Sequence, residues 1–160
     1  MNAFVATLLL AATAAAAPVS AQTASPSPLL GNWALDVTRL EIPADHRPKG
    51  VTVTYKDAGG GKWDAHVEIL APDGSKRSST GTYIFDGTPI PVTGEIYADI
   101  AVVKRPEPNV MVLQLAKGKE PVSTRVYSVS ADGSTMTETT AYFTKEGKPV
   151  LRTGYFKRVN

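Results

Sequence analysis

The chain has no cysteine among its 160 residues. Disulfide bonds, thiolate catalysis and covalent haem attachment are therefore excluded, and so is a lipid anchor on a terminal cysteine. A chain of this length is expected to form one domain. Without covalent cross-links, that domain must be stabilised by burial of its apolar residues, which make up 42% of the chain.

The chain also has little excess of charge of either sign. The chain has 17 Lys and Arg against 15 Asp and Glu, giving a net charge of +2. No block of like charge is longer than two residues, as in Lys76-Arg77. Nucleic-acid binding needs a concentrated basic surface, so no nucleic-acid partner is predicted.

Residues and motifs that carry metal, nucleotide or nucleophile chemistry are few. The two histidines, His46 and His66, have no metal-motif spacing. No Gly-x-Ser-x-Gly elbow is present. The segment AGGGK at 58–62 lacks the Gly-Lys-Ser/Thr ending of a phosphate loop, and a flexible hairpin is the simpler interpretation. We therefore predict no metal site and no cofactor.

Only one long apolar run occurs, at residues 4–17. It is shorter than the about 20 residues needed to span a bilayer, and Val19-Ser20-Ala21 follows it as a small-x-small pattern. We predict a signal peptide at 1–21 cleaved after Ala21, a linker at 22–29 and one domain at 30–160. The product would be periplasmic or secreted, with no integral membrane span after cleavage. The alternative is an uncleaved N-terminal membrane anchor.

The rest of the chain shows the period-2 alternation of strands with one buried face. The clearest alternating sets are Trp33, Leu35 and Val37; Val51, Val53 and Tyr55; Trp63, Ala65, Val67 and Ile69; Gly81, Tyr83 and Phe85; and Met111, Leu113 and Leu115. Further strand-like runs lie at 98–104, 122–129, 135–143 and 151–158. Residues 38–49 break the pattern, and we expect them to hold a helical turn and to cover one end of the fold.

Turn residues separate these runs. Asp73-Gly74, Asp86-Gly87, Asp132-Gly133 and Glu146-Gly147 each lie between two strand-like segments, and 59–61 is Gly-Gly-Gly. Asp-Gly favours tight hairpin turns, and hairpins join antiparallel neighbours. The pattern predicts an all-β, antiparallel up-and-down barrel of about 8–10 strands.

Several short motifs in this order resemble the lipocalin-like (calycin) families of bacterial exported proteins. They are Gly31-Asn32-Trp33 followed by Asp36, Phe85-Asp86-Gly87 leading into Pro91-Val92-Thr93-Gly94, the segment 130–134 (SADGS), and the closing 156–159 (FKRV). The resemblance covers residue 30 to the end. It implies that Trp33 packs across the barrel floor against a basic residue of the last strand, which would be Arg158 or, as the second choice, Arg152. Gly31, Trp33 and Arg158 are thus expected to close the barrel.

Two neighbouring segments carry the candidate polar site. If Val129 points inward, so do Tyr127 and Arg125; if Met136 points inward, so does Glu138. Arg125 and Glu138 would then face each other inside the barrel. A register one residue different would instead bury Val122, Thr124, Val126 and Ser128, and both registers are open at this point. The candidate ligand-binding residues are Tyr55, Tyr83, Phe85, Met111, Leu113, Arg125, Tyr127, Glu138 and Tyr142.

An apolar interior with a few polar groups is typical of small-molecule sites. The main hypothesis is a barrel that binds a small apolar or amphipathic ligand, as a monomer or a homodimer. One alternative is a cofactor-independent enzyme of the isomerase, lyase or cyclase type that uses the same residues for proton transfer. The other is an envelope scaffold or interaction domain whose core is filled by side chains.

Overall fold

The computed structural model describes residues 26–160 except Glu95, so the predicted signal peptide and the first half of the predicted linker, 22–25, lie outside the described residues. Within them, eleven antiparallel strands form one sheet. The strands are β1 (Gly31–Leu35), β2 (Gly50–Gly59), β3 (Lys62–Leu70), β4 (Lys76–Tyr83), β5 (Ile90–Pro91), β6 (Thr93–Gly94), β7 (Ile100–Glu107), β8 (Val110–Lys117), β9 (Glu120–Val129), β10 (Thr135–Phe143) and β11 (Pro149–Val159).

The alternating pattern of the sequence determines which face of each strand is buried. In β3, Trp63 and Ala65 are buried while Asp64 and His66 are exposed. Successive side chains of a strand point to opposite faces, so the apolar set turns inward as one unit. These inward faces form a single hydrophobic core that includes residues from both ends of the chain.

The sheet curls into a nearly closed barrel, which confirms the predicted fold class. β1, near the start of the described chain, pairs with both β2 and the last strand, β11. The remaining gap lies between β4 and β7. It is bridged by a short segment whose first half, β5, pairs with β7 and whose second half, β6, pairs with β4.

Most strand neighbours in sequence are neighbours in the sheet, as a meander requires. The turns at Asp73-Gly74, Asp132-Gly133 and Glu146-Gly147 each join two paired strands. Asp86-Gly87 differs, because β4 and β5, the strands on either side of it, are not paired with each other. Asp86 instead forms an isolated bridge with Lys104. Its Oδ1 accepts the amide of Thr88, as in a local loop turn.

One end of the barrel, which we call the floor, is closed by Leu29, Trp33 and Arg158. Trp33 is fully buried, and its Nε1 donates to the carbonyl of Leu29 at 2.9 Å. The guanidinium carbon of Arg158 lies 4.2 Å from the centroid of the Trp33 ring. Leu29, the last residue of the predicted linker, is fully buried and packs in the hydrophobic core.

The opposite end, which we call the mouth, is edged by Ile69 and Ile96. Residues 38–49 hold parts of two short 3₁₀ helices, Val37–Arg39 and Ala44–His46. The Lys49 amide donates to the carbonyl of Leu70 at the end of β3, which places this segment at the mouth as expected. No helix in the described part of the chain is long and apolar enough to cross a membrane.

Candidate functional site

The half of the barrel nearer the mouth encloses a cavity of about 210 Å³. The floor half is filled, and Trp33, Met111 and Met136 are each almost completely buried there. The side chains around the cavity come from all parts of the barrel and are mainly apolar. They are Leu35, Val51, Val53, Tyr55, Val67, Ile69, Ser79, Tyr83, Val92, Ile96, Ala98, Leu113, Leu115, Arg125, Tyr127, Glu138 and Phe156.

A polar cluster of Arg125, Tyr127 and Glu138 lies on one wall of this cavity. Glu138 of β10 is directly opposite Tyr127 of β9, and Arg125 is the next inward residue of β9. Nη1 of Arg125 and the hydroxyl of Tyr127 each donate to Oε1 of Glu138 at 3.0 Å. Nε of Arg125 donates to Oγ of Ser123 at 3.3 Å. The hairpin register therefore brings a cation, an anion and a phenol together inside an apolar barrel.

Burial determines the protonation of the phenols. Loss of solvation raises the pKa of Tyr83 to about 12, and it raises the pKa values of Tyr55 and Tyr127 as well. All three are therefore neutral at ordinary pH. Burial by itself opposes the charge of Arg125, but the neighbouring Glu138 carboxylate favours the cation, so the Arg125 pKa is raised and the group stays cationic.

A glycine on the next strand makes room for the carboxylate. Gly154 of β11 pairs with Glu138 and is buried. A Cβ at this position would lie 3.3 Å from Oε2 of Glu138, 3.2 Å from Leu35 and 3.4 Å from Phe156. These distances are tighter than normal side-chain packing, so the absence of a side chain at 154 lets Glu138 lie flat against the wall.

Aromatic rings form the part of the site nearest the floor. The Tyr55 ring centroid is 6.1 Å from that of Tyr83, 6.3 Å from that of Trp63 and 6.4 Å from that of Tyr127. Such tilted and edge-on pairs are favourable for aromatic rings. The cluster lies between the cavity and the filled floor, and the hydroxyl of Tyr127 reaches Glu138.

The structure brings six of the nine sequence-predicted ligand residues to the cavity: Tyr55, Tyr83, Leu113, Arg125, Tyr127 and Glu138. The other three do not line it. Phe85 packs edge-on against Trp63 at 4.7 Å, and Met111 is fully buried towards the floor. Tyr142 lines an outer groove instead, together with Phe143 and Leu151.

The two open questions of side-chain direction are both decided. Arg125 and Glu138 face inward, and Val126, which belongs to the alternative inward set, lies outside with 38% of its surface exposed. At the floor, Arg158 stacks on Trp33, whereas Arg152 lies over Tyr142 at 5.4 Å.

Sequence reasoning missed several lining residues for different reasons. Leu35 and Val53 were in the alternating sets and could have been included on phase alone. Ser79 is polar in a stretch of serines and threonines, so periodicity gave it no distinct signal. Val92 and Ile96 lie outside regular strands and reach the cavity only because the chain turns back across the mouth.

One other surface feature is distinct from the cavity. A shallow groove of about 840 Å³ lies over the outer side of β2, β3 and β4, and includes Thr54, His66 and Thr80. In the described residues, no three His, Asp or Glu side chains are close enough together to hold a metal ion.

Fold and site together define an antiparallel β-barrel that is closed at the floor and holds an internal cavity with one polar wall. Comparison with protein-family models gives no match, and comparison with curated proteins gives none either.

Proposed function

We propose that this protein is an exported, lipocalin-like binding module that holds a small amphipathic molecule in the barrel cavity. The observation that carries the proposal is the polar cluster of Arg125, Tyr127 and Glu138 within otherwise apolar walls. Binding sites for small molecules combine these two features, because apolar walls supply affinity and a few polar groups fix orientation. A barrel whose interior served only as a core would gain little from a charged pair.

The size of the cavity limits the ligand. About 210 Å³ is smaller than the roughly 300–1,000 Å³ of sites for drug-sized molecules. At about 30 Å³ per water, it corresponds to about seven water molecules. The expected ligand is thus a compact molecule with one ring or a short chain, and a long-chain lipid would have to extend through the mouth.

Export is proposed from the N-terminal pattern of the sequence. The apolar run at 4–17 and Val19-Ser20-Ala21 support cleavage after Ala21 and release to the periplasm or the medium. N-terminal sequencing of the protein secreted or released from its own cells tests this: a chain that begins at Gln22 is expected, and one that begins at Met1 would contradict it.

Native mass spectrometry of the protein purified from its own cells tests the binding function. We expect a retained small molecule that is lost in Ala98→Phe, because Ala98 lines the cavity and is 4% exposed, so a phenyl ring there would fill the space. Ala58→Phe, an exposed position on β2, is the matched control and should retain the molecule. A wild-type protein without any bound molecule, or equal retention by Ala98→Phe, would contradict the proposal.

An enzyme using the same cluster is the second candidate function. A carboxylate and a phenol in hydrogen-bond contact are groups that can transfer protons. Binding is favoured because Oε1 of Glu138 already accepts from both Arg125 and Tyr127. Incubating the retained molecule with fresh protein separates the two functions, since only an enzyme would change its mass or its isomeric form.

A further inference from the structure

We propose that the cavity selects an uncharged ligand in which an apolar body carries a strong hydrogen-bond acceptor, such as the carbonyl of a ketone, ester or amide. This inference rests on the proposed binding function and specifies the chemical class of its ligand. Three observations carry it: the charge balance of the cavity, the direction of its unused hydrogen-bonding groups, and the composition of its walls.

The charges of the cavity already cancel. Among the described residues that line it, only Arg125 and Glu138 carry formal charge, and their Nη1 and Oε1 atoms are 3.0 Å apart. The three tyrosines of the site are neutral. A carboxylate ligand would therefore bring a second anion beside Glu138, and an ammonium ligand a second cation beside Arg125. Either charge would lose its hydration without gaining a free partner.

The unused hydrogen-bonding groups of the site are mainly donors. A guanidinium has five N–H groups. In the described structure Arg125 uses its Nε and Nη1 atoms, on Ser123 and Glu138, and Nη2 makes no hydrogen bond of normal geometry with the described residues. The Arg125 side chain is 32% exposed, so these remaining donors have access to the cavity.

The phenols add two further hydroxyls, each of which can donate to a ligand acceptor and can also accept. Among the described residues, no group pairs with the hydroxyls of Tyr55 and Tyr83, although both residues line the cavity. Buried polar groups are normally hydrogen-bonded, and no fully buried side-chain nitrogen or oxygen in the described structure is left without a partner. These two hydroxyls therefore border open space, where a ligand atom or water can reach them.

The acceptors of the cluster are less available. Oε1 of Glu138 accepts two hydrogen bonds. Oε2 lies against the wall at Gly154, where an added Cβ would be only 3.3 Å away. The site thus presents donors to a ligand, whereas the Glu138 carboxylate is turned to Arg125, Tyr127 and the wall at Gly154.

The remaining lining is apolar and fixes the body of the ligand. Leu113, Leu115 and Phe156 lie around the same space as the cluster. A hydrocarbon or aromatic body against these walls, with its acceptor towards Arg125, satisfies both halves of the site.

Four probes of similar size test the proposal by isothermal titration calorimetry: acetophenone, ethylbenzene, benzoate and benzylammonium. They share one ring and differ in acceptor and charge. We expect acetophenone to bind at least about ten-fold more tightly than each of the other three, a difference of about 1.4 kcal/mol.

Glu138→Gln provides the specificity test. The amide oxygen of Gln can still accept from Arg125 and Tyr127, but the negative charge is gone, so Arg125 becomes an uncompensated cation. Affinity for benzoate relative to acetophenone should rise by at least about ten-fold. Glu107→Gln, an exposed residue of β7, is the matched control and should leave the ratio unchanged.

The outcomes separate the ligand class from the binding function. If wild-type protein prefers benzoate or benzylammonium, or binds ethylbenzene as tightly as acetophenone, the neutral-acceptor class is wrong while the cavity still binds. If none of the four binds, both this inference and the proposed function are overturned. If Glu138→Gln does not fold, the order of the four probe affinities in the wild-type protein still tests the proposal. If it folds and the ratio of benzoate to acetophenone affinity is unchanged, the result counts against the proposal.

Discussion

At the scale of single residues, the polar wall depends on contacts that leave little freedom. Glu138 receives two donors on one oxygen and has a glycine behind the other. A hydrogen bond to a charged group contributes more than one between neutral groups, and a partner left unpaired in a buried site costs most. The cluster should therefore be sensitive to changes of one methyl or one hydroxyl.

Gly154→Ala should destabilise the protein by about 1–3 kcal/mol, because the new methyl would press on Glu138, Leu35 and Phe156 together. Urea denaturation measures the change. Gly50→Ala is the control: a Cβ there meets nothing within 4 Å, so its free energy of unfolding should stay the same or rise slightly. Equal effects of the two substitutions would argue against a crowded carboxylate.

Tyr127→Phe should cost about 1–3 kcal/mol, because it removes a hydrogen bond to the carboxylate of Glu138. Tyr83→Phe is a matched change at a second buried tyrosine whose hydroxyl has no partner among the described residues, and its cost should be below about 0.5 kcal/mol. The two variants are compared by chemical denaturation. A Tyr83→Phe cost as large as that of Tyr127→Phe would show that the hydroxyl of Tyr83 is bonded in solution.

At the scale of elements, the β9–β10 hairpin links the site to the floor. Its register places Arg125 and Glu138 in the cavity, and its turn contacts the last strand, since Nε of Arg158 donates to the carbonyl of Gly133 at 2.8 Å. The other two nitrogens of Arg158 donate to the carbonyls of Leu30 and Pro28. The Arg158 side chain therefore contacts the hairpin turn, the segment that leads into β1 and the ring of Trp33.

Arg158→Lys should lower the free energy of unfolding by about 2 kcal/mol, because an ammonium cannot reproduce three directed hydrogen bonds and a stacked contact with Trp33. Hydrogen exchange should accelerate first at Leu30 and in the 130–135 turn. Arg152→Lys is the control, since Arg152 lies over Tyr142 and not over the floor. Faster exchange at the mouth instead of the floor would contradict the assignment.

The hairpin turn also predicts a dependence on pH. Hydrogen bonds from Ser130 and Ser134 lower the pKa of Asp132 from 3.8 to about 2. A group whose folded pKa is depressed stabilises the fold above its unfolded pKa, and this contribution is lost as the pH falls through the folded pKa.

Asp132→Asn should therefore be less stable than wild type at pH 6, and the difference should shrink as the pH falls from 3.8 to about 2. Thermal unfolding at a series of pH values measures it, with the exposed Glu107→Gln as the control. A difference that stays constant down to pH 2 would show that the carboxylate charge is not responsible.

At the scale of the whole molecule, closure depends on the short segment that contains β5 and β6. It joins β7 on one side and β4 on the other. Gly94 lies so close to β4 that a Cβ would collide with the carbonyl oxygen of Ser78 and lie 2.7 Å from the Cα of Ser79, and its φ is +124°. Both the close approach and the backbone angle favour glycine.

Gly94→Ala should cost about 3 kcal/mol or more, because neither backbone can move without opening the gap between β4 and β7. Gly118→Ala separates strain from collision: its φ is also positive, at +60°, but a Cβ there meets nothing, so only about 1 kcal/mol of strain is expected. Equilibrium unfolding in urea compares them. Equal costs would mean that Gly94 does not set the closure.

The sequence by itself determined the fold class and most of the inward faces. Trp63, Ala65, Met111 and Leu113 were assigned correctly, because period-2 alternation is local and a single buried face enforces it along a whole strand. Of the six candidate residues that line the cavity, Tyr55, Tyr83 and Leu113 followed from the same rule. The inward direction of Arg125 and Glu138 did not follow from it, because β9 carries apolar residues on both of its faces.

Only the tertiary structure decided that register, since the β10 partner and the space at Gly154 make the inward arrangement of Glu138 acceptable. It also decided that Val92 and Ile96 reach the cavity, and that Asp86-Gly87 is a loop and not a hairpin. These features depend on residues distant in sequence that meet only when the barrel closes. Local pattern thus determined the strands, and closure determined the cavity.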